Sequence, residues 1–169
     1  MAKKSAASTA KSKPLPVCKA ILLCQHAIID ALSNTPSLIG IFNGLFVSKF
    51  PGETSQCTIF VQLEDGMGQY EMTVEVHDLR DDFIIARTVG QTIDFPKKRV
   101  RMNLFIPVPR LPIKHAGNYD LVVFADRQEI DRQQFRANRF PDERRLGNAL
   151  RFAQYHHLTQ NDIDLPTSI

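Results

Sequence analysis

The chain has 169 residues, of which 43% are hydrophobic and 23% charged, and its formal net charge is +3. This length suits one domain with a core of its own and leaves no room for two large ones. Residues 1–16 contain four lysines and no acidic residue, so the remainder, with 17 basic and 18 acidic residues, is close to neutral. This composition does not indicate a strongly basic domain that binds nucleic acid.

The cysteines are Cys18, Cys24 and Cys57, an odd number without a Cys-x-x-Cys spacing. Such a set is not typical of a disulfide framework or a zinc knuckle. The N-terminal lysines are not followed by the apolar segment of a secretory signal. We therefore expect a cytoplasmic protein.

Residues 1–16 are rich in Ala, Ser, Lys and Pro, which predicts a disordered basic tail. From residue 17 to residue 140 the apolar residues mostly alternate with polar ones, which indicates a β domain. The predicted strands are 18–29, 38–50, 57–63, 70–77, 83–89, 99–106, 117–124 and 130–135.

The most apolar segment runs from Leu38 to Phe50. It is too short to span a membrane as a helix, and no membrane span is predicted. Read as one strand, it carries apolar side chains on both faces, which predicts a central strand covered on both sides. Phe42, Phe46 and Phe50 share one of these faces.

The C-terminal region has a different pattern. Pro141, Asp142 and Glu143 are typical of a helix start, and apolar residues follow at helical spacing up to Ala153. A helix is predicted within 141–157, followed by a tail at 158–169. The whole pattern predicts an all-β fold, an immunoglobulin-like antiparallel β-sandwich of about seven to nine strands, with this α-helix and the N-terminal tail attached.

Several segments between residues 17 and 136 carry a family resemblance. They are Leu23-Cys24-Gln25-His26, Asp30, Ser37-Leu38-Ile39-Gly40-Ile41-Phe42, Phe50-Pro51, Gly68-Gln69-Tyr70-Glu71 and Gly117-Asn118-Tyr119. The chain resembles a family of small uncharacterised bacterial proteins, a domain of unknown function with a β-sandwich core. The resemblance implies this fold and a bacterial cytoplasmic origin, and it transfers no catalytic residues.

Metal or acid–base chemistry would draw on seven residues: His26, Asp30, His77, Asp78, Asp81, Asp82 and His115. The densest group is the loop from Asp78 to Asp82, which lacks the Asp-x-Asp-x-Asp-Gly pattern of a calcium loop. We interpret it as a solvated polar turn and predict no metal, cofactor or catalytic residue.

Three other features have a chemical and a structural interpretation. Cys24 and His26 lie two residues apart on one strand face, where a core cysteine beside a histidine is the commoner arrangement. His156 and His157 are adjacent and cannot chelate one ion from a regular helix. The basic residues Lys97, Lys98, Arg99 and Arg101 could contact phosphates, but protection of a sheet edge is favoured.

Surplus apolar residues are the strongest functional indication. Phe60, Val122 and Phe124 alternate out of register with the core positions of their strands. Together with Phe42, Phe46 and Phe50 they predict a second apolar layer, which is covered either by this chain or by a subunit interface.

The sequence therefore favours a non-enzymatic binding or assembly module that docks through an apolar sheet or helix surface, with a protein partner or a second copy of itself. One alternative is a nucleic-acid-associated protein that uses the lysine tail and residues 97–101. Another is a metal-dependent or thiol hydrolase built on Cys24 and His26 or on the loop 78–82. Fold class does not decide among these alternatives.

Overall fold

The computed structural model describes residues 13–96 and 100–140. Within these ranges all regular secondary structure is β-strand. The all-β prediction is therefore confirmed for this part of the chain. The strands are β1 (Val17–Ile29), β2 (Pro36–Phe42), β3 (Gly44–Val47), β4 (Gly52–Glu53), β5 (Cys57–Glu64), β6 (Gly68–Asp78), β7 (Phe83–Arg87), β8 (Gln91–Phe95), β9 (Met102–Val108), β10 (Pro112–Ile113), β11 (Gly117–Ala125) and β12 (Gln128–Arg139).

The strands form three sheets. A four-stranded sheet has the order β2-β1-β5-β9, and a six-stranded sheet has the order β3-β12-β11-β6-β7 with β8 also paired to β6. A small two-stranded sheet joins β10 to β4. The pairing is antiparallel except between β3 and β12, which run parallel.

Both larger sheets contribute alternate side chains to a single hydrophobic core. Its largest fully buried side chains include four aromatic residues. Tyr119 stacks on Phe135 with ring centroids 5.6 Å apart, and Tyr70 meets Phe95 edge-on at 5.6 Å. The phenol of Tyr119 donates a hydrogen bond to the carbonyl of His115 at 2.9 Å, which satisfies its polar end.

The hairpin between β11 and β12 turns at Asp126 and Arg127, where the sequence predicts a turn. Both residues have positive φ angles, 48° and 66°, as a two-residue type I′ turn requires. Asp126 also fixes the neighbouring strand β6, because its side chain accepts a hydrogen bond from the amide of Glu71 at 2.8 Å. Its own amide donates to the carbonyl of Glu71 at 2.9 Å.

The end of the predicted N-terminal tail contacts this domain. Leu15 packs against the core, and the Tyr70 phenol donates a hydrogen bond to the carbonyl of Pro14. Lys13 Nζ lies 2.8 Å from Asp126 Oδ2 and 3.5 Å from the centre of the Tyr70 ring. Residues 13–16 are therefore attached to the domain, because Leu15 and Tyr70 supply the apolar contact that composition alone did not reveal.

The prediction of one central strand from Leu38 to Phe50 is wrong. The chain leaves the four-stranded sheet after Phe42 and joins the six-stranded sheet at Gly44, so the segment forms two edge strands. The break at Asn43 changes the alternation, and both Phe42 and Leu45 pack on the core. The segment looks apolar on both faces because each half turns a different parity inward.

Other strand predictions were correct in position but incomplete in number. Three short strands, β4, β8 and β10, were not predicted. β4 and β10 have two residues each, and the alternation in β8 is limited to Ile93 and Phe95. Strand β9 continues through Pro107, where the sequence predicted an end. Proline is tolerated there because β9 lies at the edge of its sheet, where the missing N–H faces solvent and not a neighbouring strand.

Contacts divide the chain into a unit that ends at Arg139 and a second unit from Phe140 to Ile169. The predicted helix at 141–157 and tail at 158–169 lie outside the described residues, as do His156, His157 and most of the N-terminal tail. Lys97, Lys98 and Arg99 lie outside them as well.

The shared core predicts a strong dependence on the central strand β11. Leu121 is fully buried there, so Leu121→Ala should lower the free energy of unfolding by about 2–5 kcal/mol, because it leaves a cavity that the sheets cannot close. The matched control is Leu32→Ala, the same truncation at a side chain that is 99% exposed, with an expected change within about 0.5 kcal/mol. Urea unfolding followed by circular dichroism measures both, and equal effects would contradict the assignment of the core.

Candidate functional site

The outer side of the four-stranded sheet carries apolar and neutral polar side chains and no charged one over most of its length. Core residues such as Leu23 and Ile59 occupy one parity of each strand, and the cross-strand register places the other parity on the outer side. We call this side the neutral face. It consists of Ala20, Leu22, Cys24, His26, Ile28, Ser37, Ile39, Ile41, Thr58, Phe60, Gln62, Asn103, Phe105 and Pro107.

Apolar side chains on the neutral face are most exposed near the edge strand β2. Ile39 and Ile41 are 48% and 56% exposed, and Ile28 on β1 is exposed to a similar extent. Farther along the sheet, Phe60 is buried and packs on Phe105 with ring centroids 5.4 Å apart. The face therefore combines a packed aromatic pair with a group of exposed isoleucines.

The outer side of the six-stranded sheet has the opposite chemistry, and we call it the charged face. At its centre the buried carboxylate of Glu75 contacts Arg87 and His77, each at 2.7 Å. Asp120, also buried, lies 3.0 Å from Arg132. Buried carboxylates are stable only when they are paired in this way, so the charges here are already matched within the chain.

The second apolar layer predicted from the sequence is not brought together. Phe42 and Phe50 pack against the core, and Phe60 belongs to the neutral face. Val122 lies on the charged face opposite Glu75 and Arg132, where it is fully buried, and Phe124 is half-buried on the same strand. Phe46 is exposed on the short edge strand β3. Phe42 and Phe60 lie on opposite sides of the four-stranded sheet, and Phe50 lies between strands. Phe46, Val122 and Phe124 belong to the six-stranded sheet.

Of the predicted basic run, Arg101 lies within the described ranges, and its side chain is paired locally. Arg101 Nε lies 2.7 Å from Glu64 Oε1, and Lys19 Nζ lies 3.8 Å from the other oxygen of the same carboxylate. The interpretation of the basic run as protection of a sheet edge stays a prediction, because Lys97, Lys98 and Arg99 lie outside the described residues. Among the described residues there is no helix long and apolar enough to cross a membrane.

The loop after β6 is not a solvated turn throughout, which corrects the sequence interpretation. Asp78 is buried, and its Oδ1 accepts hydrogen bonds from the amides of Arg80 and Asp81 at 2.9 and 3.4 Å. Its Oδ2 lies 3.0 Å from His115 Nε2, and Asp81 Oδ2 lies 3.9 Å from the same nitrogen. His77, which the sequence groups with this loop, points to the opposite side of the sheet and contacts Glu75.

One signal in the sequence could have identified Asp78. The core-facing positions of β6 are Tyr70, Met72, Val74 and Val76, and Asp78 continues the same parity. An acidic residue at a core-facing position requires a partner. That partner, His115, comes from the loop before β11 and has no local sequence signal. Burial, followed by the nearby Asp78 carboxylate, raises the pKa of Tyr119, whose hydroxyl therefore stays protonated beside this cluster.

The cysteines lack the environment of a nucleophile. Cys24 is buried with its Sγ 3.6 Å from the carbonyl of Thr58, and burial raises the pKa of its thiol. Burial raises the pKa of Cys57 to about 11, and burial together with Asp131 raises that of Cys18 to about 12. A reactive cysteine requires the opposite shift, because the thiolate is the nucleophile.

The comparisons with known proteins give a family without a function. The model of a family of unknown function, DUF6941, matches residues 19–138. No curated protein matches the chain. Among solved structures there is a weak match to the crystal structure of a Bacillus anthracis protein provisionally named a lipoprotein. That match has 13% sequence identity and a TM-score of 0.30, and it covers 68% of this chain and 85% of the other.

The raised thiol pKa values predict slow alkylation of the folded protein. At pH 8, iodoacetamide should label the cysteines of the folded chain roughly a hundredfold more slowly than those of the urea-unfolded chain, because folding keeps the thiols protonated and buried. Mass spectrometry of peptides resolves the rate at each cysteine. Fast labelling of Cys24 in the folded protein would contradict the expectation and favour a thiol-based activity.

Proposed function

We propose a function from the geometry of the two outer sheet surfaces. The chain belongs to DUF6941, a family whose function is unknown. The proposed function is that of a non-enzymatic binding module that associates with a second copy of itself through the neutral face. The observation that carries this proposal is the contrast between the two outer sheet surfaces, of which one is uncharged and exposes isoleucines, and the other is charged.

The composition of the neutral face supports docking. The centre of a protein interface is depleted of charged residues and enriched in apolar and aromatic ones. The neutral face meets both conditions, since its strand positions carry isoleucine, leucine and phenylalanine and no Asp, Glu, Lys or Arg. Ile39 and Ile41 offer exposed apolar area at the rim of β2, where covering them removes apolar surface from water.

The absence of charge on the neutral face favours a second copy as the partner. A surface without charge is complementary to an identical surface, and two identical surfaces meet about a two-fold axis in the commonest type of homo-oligomer. The charged face fits this arrangement poorly. Its buried carboxylates are already paired with cations of the same chain, so they offer no unpaired charge to a second copy.

The finer fold assignment belongs with this proposal. We propose that the four-stranded and six-stranded sheets form a sandwich of the immunoglobulin-like type. The single core to which both contribute supports it, as does the predominance of antiparallel pairing. In such a sandwich each larger sheet has one inner and one outer side, and the neutral face is the side of the four-stranded sheet that is turned away from the core.

Substitutions on the neutral face test the proposed self-association. The native chain should sediment as a dimer at micromolar concentration, and Ile41→Asp should weaken the dimer roughly a hundredfold or more, because each copy would bury an unpaired charge. The matched control is Ile84→Asp, the same change at a 42% exposed isoleucine on β7 of the other sheet, which should leave the dimer intact.

Analytical ultracentrifugation over a range of concentrations gives the dissociation constants, and thermal unfolding checks that each variant is folded. Ile39→Asp provides a second test on the same strand. The proposal is wrong if the native chain stays monomeric at the highest concentrations, or if Ile84→Asp dissociates the dimer as effectively as Ile41→Asp.

A further inference from the structure

Asp78, Asp81 and His115 form a cluster of three potential metal ligands at the end of β6. One ligand atom from each residue lies within 4.8 Å of the other two, and this is the only such group of His, Cys, Asp and Glu found in residues 13–96 and 100–140. The cluster lies away from the neutral face, because β6 belongs to the six-stranded sheet and Asp78 shares the parity of its core positions. It is therefore independent of the proposed self-association.

The Asp78 carboxylate lacks a partner on one side. Its side chain is 0% exposed. Its Oδ1 accepts two backbone hydrogen bonds, but its buried Oδ2 has no hydrogen-bond partner among the described residues. Burial of an unsatisfied carboxylate oxygen is strongly unfavourable, and native proteins rarely leave one in that state.

The hydrogen bonds of His115 indicate which of its nitrogens carries the proton. Its Nδ1 lies 3.2 Å from the carbonyl oxygen of Ala116, which can only accept, so Nδ1 is the donor. The Tyr119 hydroxyl uses its single proton on the His115 carbonyl and can only accept at Nδ1, from which it lies 3.5 Å. In the neutral ring, Nε2 is therefore a free acceptor.

Two acceptors consequently face one another. His115 Nε2 and Asp78 Oδ2 lie 3.0 Å apart, yet neither atom has a hydrogen bond of acceptable geometry. Two lone pairs at this distance repel unless they share a cation, which is a proton in an ion pair and a metal ion in a binding site. The backbone contact of Nδ1 is the arrangement that orients metal-ligating histidines in general, in which the second ring nitrogen donates to a carbonyl.

The spacing and chemistry of the donors fit one ion. With metal–ligand distances of about 2.0–2.2 Å, two donors of the same ion lie about 3 to 4 Å apart at ordinary coordination angles. The observed separations from His115 Nε2 are 3.0 and 3.9 Å. Imidazole with two carboxylates suits Zn²⁺ and similar transition ions, whereas Ca²⁺ and Mg²⁺ prefer oxygen alone.

We propose that Asp78, Asp81 and His115 bind a divalent transition-metal ion, with Zn²⁺ as the representative ion. Asp78 supplies a buried ligand and His115 a partly buried one. Asp81, which is exposed, supplies the ligand on the solvent side, where water completes the coordination. The ion joins the end of β6 to the loop before β11, which is 37 residues away in the chain.

Zinc titration of the full chain tests this site. After treatment with a chelator and its removal, the protein should bind one Zn²⁺ per chain, measured by competition with a chromogenic chelator. Asp78→Asn should lower the affinity more than roughly tenfold, because it removes a charged ligand. The matched control is Asp82→Asn, the same change in the same loop but outside the cluster, which should leave the affinity unchanged.

Further variants test whether a loss of zinc affinity comes from the missing ligand or from a misfolded loop. Asn at position 78 can still accept the amides of Arg80 and Asp81 through its carbonyl oxygen, so the loop should fold. His115→Gln, which is not expected to disturb those bonds, should also lower the affinity. Substitution of Co²⁺ for Zn²⁺ should give a spectrum without a sulfur charge-transfer band, since no cysteine belongs to the cluster.

Four outcomes would overturn the proposal. They are the absence of stoichiometric zinc binding, affinity unchanged in both Asp78→Asn and His115→Gln, a sulfur band from cysteine ligation, and loss of binding in His156→Ala/His157→Ala. In the first case, the 3.0 Å distance between His115 Nε2 and Asp78 Oδ2 needs no metal ion. The contact with Asp78 would then be a simple ion pair.

Discussion

The two larger sheets share one core, and this constraint determines what every strand presents to solvent. Each strand of the pair has to turn one parity of side chains inward, so the remaining parity is fixed on the outer side. On the four-stranded sheet that remaining parity carries no charged residue over most of its length, and on the six-stranded sheet it carries paired charges. The difference between the two surfaces is therefore encoded by parity within each strand.

The chain passes from one sheet to the other at Asn43. The segments on either side belong to different sheets, and the amide of Arg136 on β12 donates to the Asn43 carbonyl at 3.1 Å. A strand pattern read at a constant period of two cannot reveal such a crossing, because the sequence stays apolar through the break. The regular strand β6 was predictable for the opposite reason, since it keeps one parity from Tyr70 to Asp78 and one sheet throughout.

The candidate surfaces were predictable to different degrees. Apolar residues on the outer side of β5 and β1 follow from alternation once the core parity is known, but their assembly into one face depends on the register between strands. The grouping of Phe60 with Val122 failed for this reason, since the two residues lie on different sheets. The partnership of Asp78 with His115 depends entirely on tertiary structure, because the two residues are distant in sequence and meet through the loop before β11.

The two proposals involve separate parts of one fold, which gives them different physical signatures. Metal bound only by the folded chain stabilises it by mass action, by about 2.7 kcal/mol when the free ion is at a hundred times its dissociation constant. The ligands lie at the end of β6, and the isoleucines of the neutral face lie on β1 and β2 of the other sheet. No described side chain of the neutral face is a ligand. Removal of the ion should therefore lower the unfolding temperature and leave the association of folded chains unchanged. Additivity of the two effects is the expectation for sites that share no contacts.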